Sequence, residues 1–382
     1  VDVADGLGLA ESTRMSCTYA GFWRVRHCLL CMCWSLLCLL CRNLPLTGEE
    51  VLSDDLDDPE LQRLLSLTKD ALADYNHEEG LRLMTLALEL APYNAWARGF
   101  HAVFLLYLNS LQESYQEFHV LVRSQTRAAA FPVFLQQYLV SLHRLRKTEE
   151  LHEIWPQIVA TPGISWRSPY QCPNQLDESL LDGAKPFPDA SSLRVPKRMR
   201  KMRKAIYKEF KEFWKRSDKI SDWRPVSLDK DLMSKEGCWD EIVLFHKGDW
   251  SQEWCQVFAT ACRILHGLLE IEGSVRDTFS GKVSLLKLNA GCFLRPHYGA
   301  FNWRYTAHLS LLGADGATYR VGNEERSLKV GDVMVFDDTF LHEVSNDGSG
   351  PRVNLVANFF HPKTKPVSLE DVAIAHGYRE DL

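Results

Sequence analysis

Two stretches in the amino-terminal half set the first pattern. Asn76 to Pro92 reads NHEEGLRLMTLALELAP and Ser110 to Thr126 reads SLQESYQEFHVLVRSQT, with apolar residues recurring every three or four positions, the period of a helix that buries one face. At an offset of 34 residues the pairs Leu81/Tyr115, Met84/Phe118, Leu86/Val120 and Leu88/Val122 coincide, which is the tetratricopeptide period. A looser third copy places Leu151 and Ile154 after a further helix at Phe131 to Arg144, with Pro92, Pro132 and Pro156 as breaks. Stacked helix pairs would offer a concave face to a peptide; an irregular bundle carries the same apolar stripes without that face.

Proline and glycine collect between Thr161 and Pro196 and mark an irregular lead-in to a second domain. The next stretch, VPKRMRKMRKAIYKEFKEFWKRSDK, holds ten lysines and arginines from Lys197 to Arg216, while Ile206, Phe210, Phe213 and Trp214 form an apolar stripe. Phosphate or membrane contact is one use of such a helix; a solvated helix docked through its aromatics is the plainer expectation. Beyond Lys282 the period falls to two. Lys282 to Leu288, Thr306 to Leu312, Thr318 to Val321, Asp332 to Phe336 and Val353 to Phe360 are β-rich runs separated by Gly313, Asp315-Gly316, Gly331-Asp332 and Asn346-Asp347-Gly348. Short strands at this spacing predict a sandwich or jelly roll, closed or nearly so. The fold class expected is therefore α+β multidomain: helical repeats over 61–165, then a jelly-roll domain over 166–382.

Composition narrows the classes. A chain of 382 residues with 46% hydrophobic and 11% aromatic residues is no disordered polymer, and 44 basic against 50 acidic residues, a net charge of -6, argue against a nucleic-acid partner. Six of the 11 cysteines lie in the first 41 positions, so the total does not describe a disulfide scaffold. Residues 1–47 form a leader around CLLCMCWSLLCLLC (Cys28 to Cys41), preceded by Arg24 and Arg26 and followed by Arg42. As a helix the run reaches roughly 21 Å, short of the about 20 residues of a bilayer span. No A-x-A-like cleavage site follows it, so an uncleaved membrane anchor is expected, with a cleaved signal and a mistranslated leader as alternatives. The first residue is Val1; a start at Met15 puts both arginines in a positively charged n-region. An acidic spacer (EEVLSDDLDDPE within 48–60) follows.

The residues with chemical potential sit in the β unit: Pro296-His297-Tyr298-Gly299, Arg304, His308, Phe336 to Val344 (FDDTFLHEV) and Arg352. If His297 and His342 end facing strands, two neutral imidazoles suit iron, zinc, copper or nickel, and composition does not choose among them. RPHYGAFNWRYTAHLSLL, then ATYRVGNEERSLKVGDVMVFDDTFLHEVSNDGSGPRVNLVANFFHP, resembles the double-stranded β-helix core of the aspartyl/asparaginyl β-hydroxylase family, dioxygenases that use Fe(II), 2-oxoglutarate and O2. The order PH-x-G, R-x-x-x-HL, FDD-x-F-x-HEV, PRV and HP carries the likeness firmly over 282–362; Gly237-Cys238-Trp239 to Gly248 is similar more weakly. Members from the endoplasmic reticulum share the whole layout of anchor, acidic spacer, tetratricopeptide-like helices and catalytic unit.

The resemblance implies the following roles. His297 and His342 are the catalytic, iron-binding pair, with Gly299 where most oxygenases place a carboxylate; the family has glycine there too. Asp337, Asp338 and Glu343 are rival ligands, weighed as supporting residues because strand alternation turns neighbours of an inward histidine away. Arg352 grips the distal carboxylate of 2-oxoglutarate, His308 reaches the other end, and Arg304 contacts substrate. Two positions depart from the family: Thr306 replaces a second arginine and Leu286 replaces a serine that helps hold the cosubstrate. Cys255 and Cys262 match a lumenal disulfide, with reduced buried thiols as the alternative. The implied reaction couples decarboxylation of 2-oxoglutarate to succinate and CO2 with hydroxylation of a substrate carbon. That carbon is the β-carbon of Asp or Asn in epidermal-growth-factor-like domains for the family's closest members and a lipid acyl chain for a bacterial branch. The expected partners are a protein or peptide substrate and, through the leader, the endoplasmic reticulum membrane with the catalytic domain lumenal; a cytoplasmic or soluble secretory-pathway placement is the alternative. A lipid or small-molecule dioxygenase, and a non-catalytic helical-repeat interaction protein with a degenerate jelly roll, are the rival functions.

Overall fold

The computed structural model describes residues 52–216, 222–226, 232–233, 237–274, 281–313 and 316–367. The leader, with its expected anchor or signal, lies outside the described residues. Among the described residues no helix is long and apolar enough to cross a membrane.

Six helices come first: α1 (Pro59–Ala73), α2 (His77–Leu90), α3 (Ala95–Tyr107), α4 (Leu111–Val122), α5 (Pro132–Arg144) and α6 (Thr148–Val159). Asp58, Asn76 and Asn94 cap α1, α2 and α3 by accepting hydrogen bonds from backbone amides of the first turn. Each helix packs on the next, and α3 also meets α5. Two of the paired positions share their burial closely: Met84 and Phe118 are fully enclosed and Leu86 and Val120 are both exposed, whereas Leu81 is half-buried and its counterpart Tyr115 buried. Leu151 and Ile154 are core residues of α6, as expected.

The basic stretch forms α7 (Arg194–Trp214), which buries Met199, Ile206, Phe210 and Phe213 and leaves its lysines outside. Those side chains pack with Val283, Leu285, Leu309, Leu355, Ala357 and Phe359, the outer face of a large antiparallel sheet. Each such side chain contributes about 1.5–3 kcal/mol of burial. The sheet runs β1 (Arg224–Pro225), β2 (Trp239–His246), β4 (Lys282–Leu288), β11 (Arg352–Phe360), β6 (Arg304–Leu312), β9 (Val333–Phe336), with β3 (Asp249–Trp250) beside β2. A smaller sheet faces it, in the order β5 (Cys292–His297), β10 (His342–Asn346), β7 (Ala317–Val321), β8 (Glu324–Ser327). No ladder joins the two sheets among the described residues, so the expected closure is incomplete: this is an open sandwich. β1, β2, β3, β5, β8 and β10 are not among the expected strands; β5 and β10 carry arginine, proline, histidine and glutamate where a plain strand would alternate.

Two disulfides are present. Cys255–Cys262 is the pair the resemblance implied. Cys238–Cys292 was not foreseen, and it ties the start of β2 in the large sheet to the start of β5 in the small one. The helical part is fastened to the sandwich by Gln136 Nε2 donating to Cys172 O at 2.6 Å and Arg144 Nε donating to Pro296 O at 3.2 Å.

Candidate active site

Antiparallel pairing of β5 with β10 sets His297 directly opposite His342, two residues that lie 45 apart in the chain. Their ring centroids are 4.0 Å apart at an interplanar angle of 51°. Each ring is oriented the same way: His297 Nδ1 donates to Arg295 O at 2.8 Å and His342 Nδ1 to Phe340 O at 2.9 Å. A carbonyl partner places the proton on Nδ1, so both Nε2 atoms keep a lone pair for a cation. Burial pushes both imidazoles below their usual range; His342 and Arg144 push His297 further in the same direction, while Asp338 partly opposes the effect at His342. Both rings are therefore neutral, the state in which histidine ligates.

Gly299 is needed where it stands. A Cβ there would come within 2.6 Å of Asp338 Oδ1 and 2.8 Å of Asp338 O, and the Gly299 amide donates to that same carbonyl at 2.6 Å. Asp338 thus points inward, which corrects the expectation from alternation: it precedes β10 in a turn, where the period of two does not apply. Its Oδ2 accepts from Arg304 Nη2 at 2.9 Å and Thr306 Oγ1 at 3.3 Å, while Oδ1 is buried with no partner. Asp337 bonds to Thr339 and Gln171, and burial raises its carboxyl to about 7. Glu343 turns outward to Arg320 at 2.9 Å. Among the described residues, no set of three His, Cys, Asp or Glu side chains forms a metal-ligand group.

The inner face of the large sheet supplies the rest. Arg352 is 2% exposed, its guanidinium lies 4.9 Å over the Tyr319 ring, and its Nε and Nη1 have no partner. A buried guanidinium left in that state is costly unless an anion completes it. His308 is buried beside it; Asn354 Nδ2 donates to His308 Nδ1 at 3.0 Å, so the ring proton sits on Nε2 as a donor. Burial and the Arg352 charge keep His308 neutral. The ring contacts His342–Phe336 at 5.5 Å, Phe336–His308 at 5.2 Å and His308–Tyr319 at 5.5 Å run from the histidine pair toward Arg352.

His297, His342, His308 and Arg352 thus border one inter-sheet space, with Arg304 at its rim, ion-paired and 4.6 Å over the Phe301 ring, whereas Cys255 and Cys262 lie apart from it and Glu343 faces outward. Three contributors escaped the sequence. Asn354 and Ser310 are opposite one another on β11 and β6, and Ser310 Oγ is buried without a partner; their signal was a polar residue on the inner side of an otherwise apolar strand. Arg144 comes from α5 and gave none. Leu286 is confirmed on the same face, opposite Asn354, where its side chain donates nothing.

The two imidazoles and the unpaired guanidinium fit a divalent cation chelated by a diacid. Residues 200–362 match the family model described as aspartyl/asparaginyl beta-hydroxylase, a span that includes the motifs resembling that family. The mouse aspartyl/asparaginyl beta-hydroxylase is 31% identical over 139 residues, which is 36% of this chain and 18% of that protein. The human aspartate beta-hydroxylase domain-containing protein 2 is 30% identical over 129 residues, 33% of this chain and 34% of that protein. The chain thus spans about a fifth to a third of the length of these relatives. A Pseudomonas putida prolyl-4-hydroxylase structure aligns with 42% of this chain and 87% of its own at 17% identity and a TM-score of 0.26, a likeness on which nothing here rests.

Proposed function

We propose that this chain is an Fe(II)- and 2-oxoglutarate-dependent dioxygenase that hydroxylates an aspartyl, asparaginyl or related residue of a protein substrate. The observation that carries the proposal is the pairing of two tautomer-fixed imidazoles at one end of the sandwich with an anion-seeking buried guanidinium deeper in it. Fe(II), 2-oxoglutarate and O2 would supply the redox chemistry, succinate and CO2 leaving as one oxygen reaches the substrate carbon. The protein positions. His297 and His342 would hold the cation through Nε2, Arg352 would take the distal carboxylate of the diacid, and His308 Nε2–H and Ser310 Oγ–H would donate to its oxygens. Asp338 keeps Gly299 free of any side chain and holds Arg304 in place.

Substrate recognition departs from the family. Thr306 is buried and hydrogen-bonded, so the guanidinium the family carries there is missing, and Arg304 already faces Asp338. Arg144, close enough to help hold His297 neutral, brings a cation from the helical region to the same space. On this reading the tetratricopeptide-like helices, peptide-binding by their stacking, contribute directly to substrate choice, and a redirected substrate remains the favoured variant of the family activity. Two disulfides suit an oxidising compartment, in keeping with a lumenal placement beside the endoplasmic reticulum membrane.

Anaerobic titration with Fe(II) and 2-oxoglutarate, followed by succinate release with candidate peptides including epidermal-growth-factor-like domains, tests the proposal. The parent protein binds both and His342→Ala loses iron binding together with turnover. A folded parent that binds neither ends the enzyme assignment and leaves the helical-repeat interaction protein.

A further inference from the structure

The cations of α7 divide into two groups. Arg194 pairs with Glu270 at 3.3 Å and Arg198 Nη1 donates to Ile264 O at 2.8 Å, both serving the fold. Arg200 and Arg203 instead turn toward a groove of about 730 Å³ between α7, the lead-in at 185–190 and the β8–β9 connection. Lys185 and Arg326 join them, so four cations meet only two carboxylates, Asp189 and Asp332, on a chain whose net charge is -6. Both carboxylates already accept backbone amides: Asp189 from Ser191 at 2.9 Å and Asp332 from Lys329 at 2.9 Å. Arg326 faces Glu324 at 3.2 Å, an exposed pair of little strength.

Among the described residues no carboxylate lies within ion-pairing distance of Arg200, Arg203 or Lys185. Arg200 Nη2 is steadied by Ala190 O at 2.8 Å and Arg203 Nη1 by Arg200 O at 2.7 Å, which orients both forks without neutralising them. Three residues apart on one helix face, they form a pair of adjacent donors, and Arg326 stands across the groove on β8. The floor is apolar: Phe187, which lies under Arg326 at 4.0 Å, with Leu328 and Met334. The volume is that of a small-molecule site, too small for a polymer track.

We infer that this groove is a second binding site, distinct from the histidine pair, for an organophosphate that carries at least two anionic groups on a carbon body. Guanidinium forks pair with phosphate oxygens two at a time, and the apolar floor takes the carbon portion. A free phosphate ester and a phosphoinositide headgroup share this chemistry, so the experiment separates them.

Calorimetric titration of the full chain with fructose bisphosphate and ATP, against inorganic sulfate as control, covers the soluble source; co-sedimentation with phosphatidylcholine vesicles, with and without phosphatidylinositol bisphosphate, covers the lipid source. Binding weakens with added salt, and Arg203→Gln and Arg326→Gln, on separate elements, each weaken it by about tenfold or more. Both variants keep the parent's melting temperature and succinate release. Loss in the soluble arm assigns a free ligand and loss in the vesicle arm a headgroup; either supports the site. Parent protein that binds neither, that binds sulfate as tightly, or whose two variants bind like the parent overturns it.

Discussion

Gly299 shows how much of the site turns on one missing methyl group. In Gly299→Ala the new Cβ meets a carboxylate and the backbone oxygen of the same residue, and backbone does not swing aside as a side chain tip does. The variant is expected to lose about 1–3 kcal/mol in chemical denaturation and to bind Fe(II) more weakly, since the strand ends bearing His297 and His342 are pushed apart. Unchanged stability would mean that Asp338 relaxes freely. The same crowding makes Gly299→Asp unable to build a three-ligand site. At this scale the motifs were a guide to placement: His297, His308, His342 and Arg352 all border the space between the two sheets. The sequence misjudged Asp338, because a turn residue's direction is set by hydrogen bonds to partners distant in the chain, and it missed Arg144, whose neighbour is 152 positions away.

Among the elements, α4, α5 and α6 meet around one buried-edge carboxylate, Glu150. Glu150 accepts from Tyr138 at 2.5 Å and Tyr115 at 2.7 Å, with His119 at 2.7 Å and Arg123 at 3.2 Å. Burial alone would raise the Glu150 carboxyl, but these hydrogen bonds outweigh it and bring it down to about 2. In the unfolded chain the group titrates near 4.3. The folded state is therefore favoured above that value, and the contribution is lost as pH falls toward 2. Allowing for solvent at its edge, about 1–2 kcal/mol is at stake. Thermal unfolding followed from about pH 6 to pH 3 should show a steeper acid loss in the parent than in Glu150→Gln; identical slopes would remove Glu150 as the cause. Helices α2, α4 and α5 were legible from the three-to-four spacing, whereas α1 and α3 were not read; most residues of α3 are buried, which leaves no polar face to mark its period. Strands β4, β6 and β11 were legible as β-rich runs between turn signals, although β6 and β11 are buried on both faces. β5 and β10 were not, since the side chains that make them chemically useful break the apolar pattern that would announce them.

On the scale of the whole molecule, the two cross-links act on different lengths of chain. Cys238 and Cys292 are 54 residues apart and Cys255 and Cys262 only 7, so loop-closure arguments assign them about 4 and about 2.5 kcal/mol. Alkylation followed by peptide mass mapping should leave all four sulfurs unmodified until reductant is added, with a fall in melting temperature after it; thiols that react without reductant would contradict the oxidising placement. The register also fixes which end of the sandwich is bound. Cys292 lies opposite Asn346, whose amide donates to Leu288 O and Gly350 O, and Leu288 is paired with Arg352. The covalent tie between the sheets therefore lies at the guanidinium end, whereas the imidazoles, at the far tips of the same strands, are held by hydrogen bonds alone, through Asp338 and Arg144. Reductant should accordingly slacken the seat of the diacid before it disturbs the cation's ligands, so that separate titrations of the two would part company.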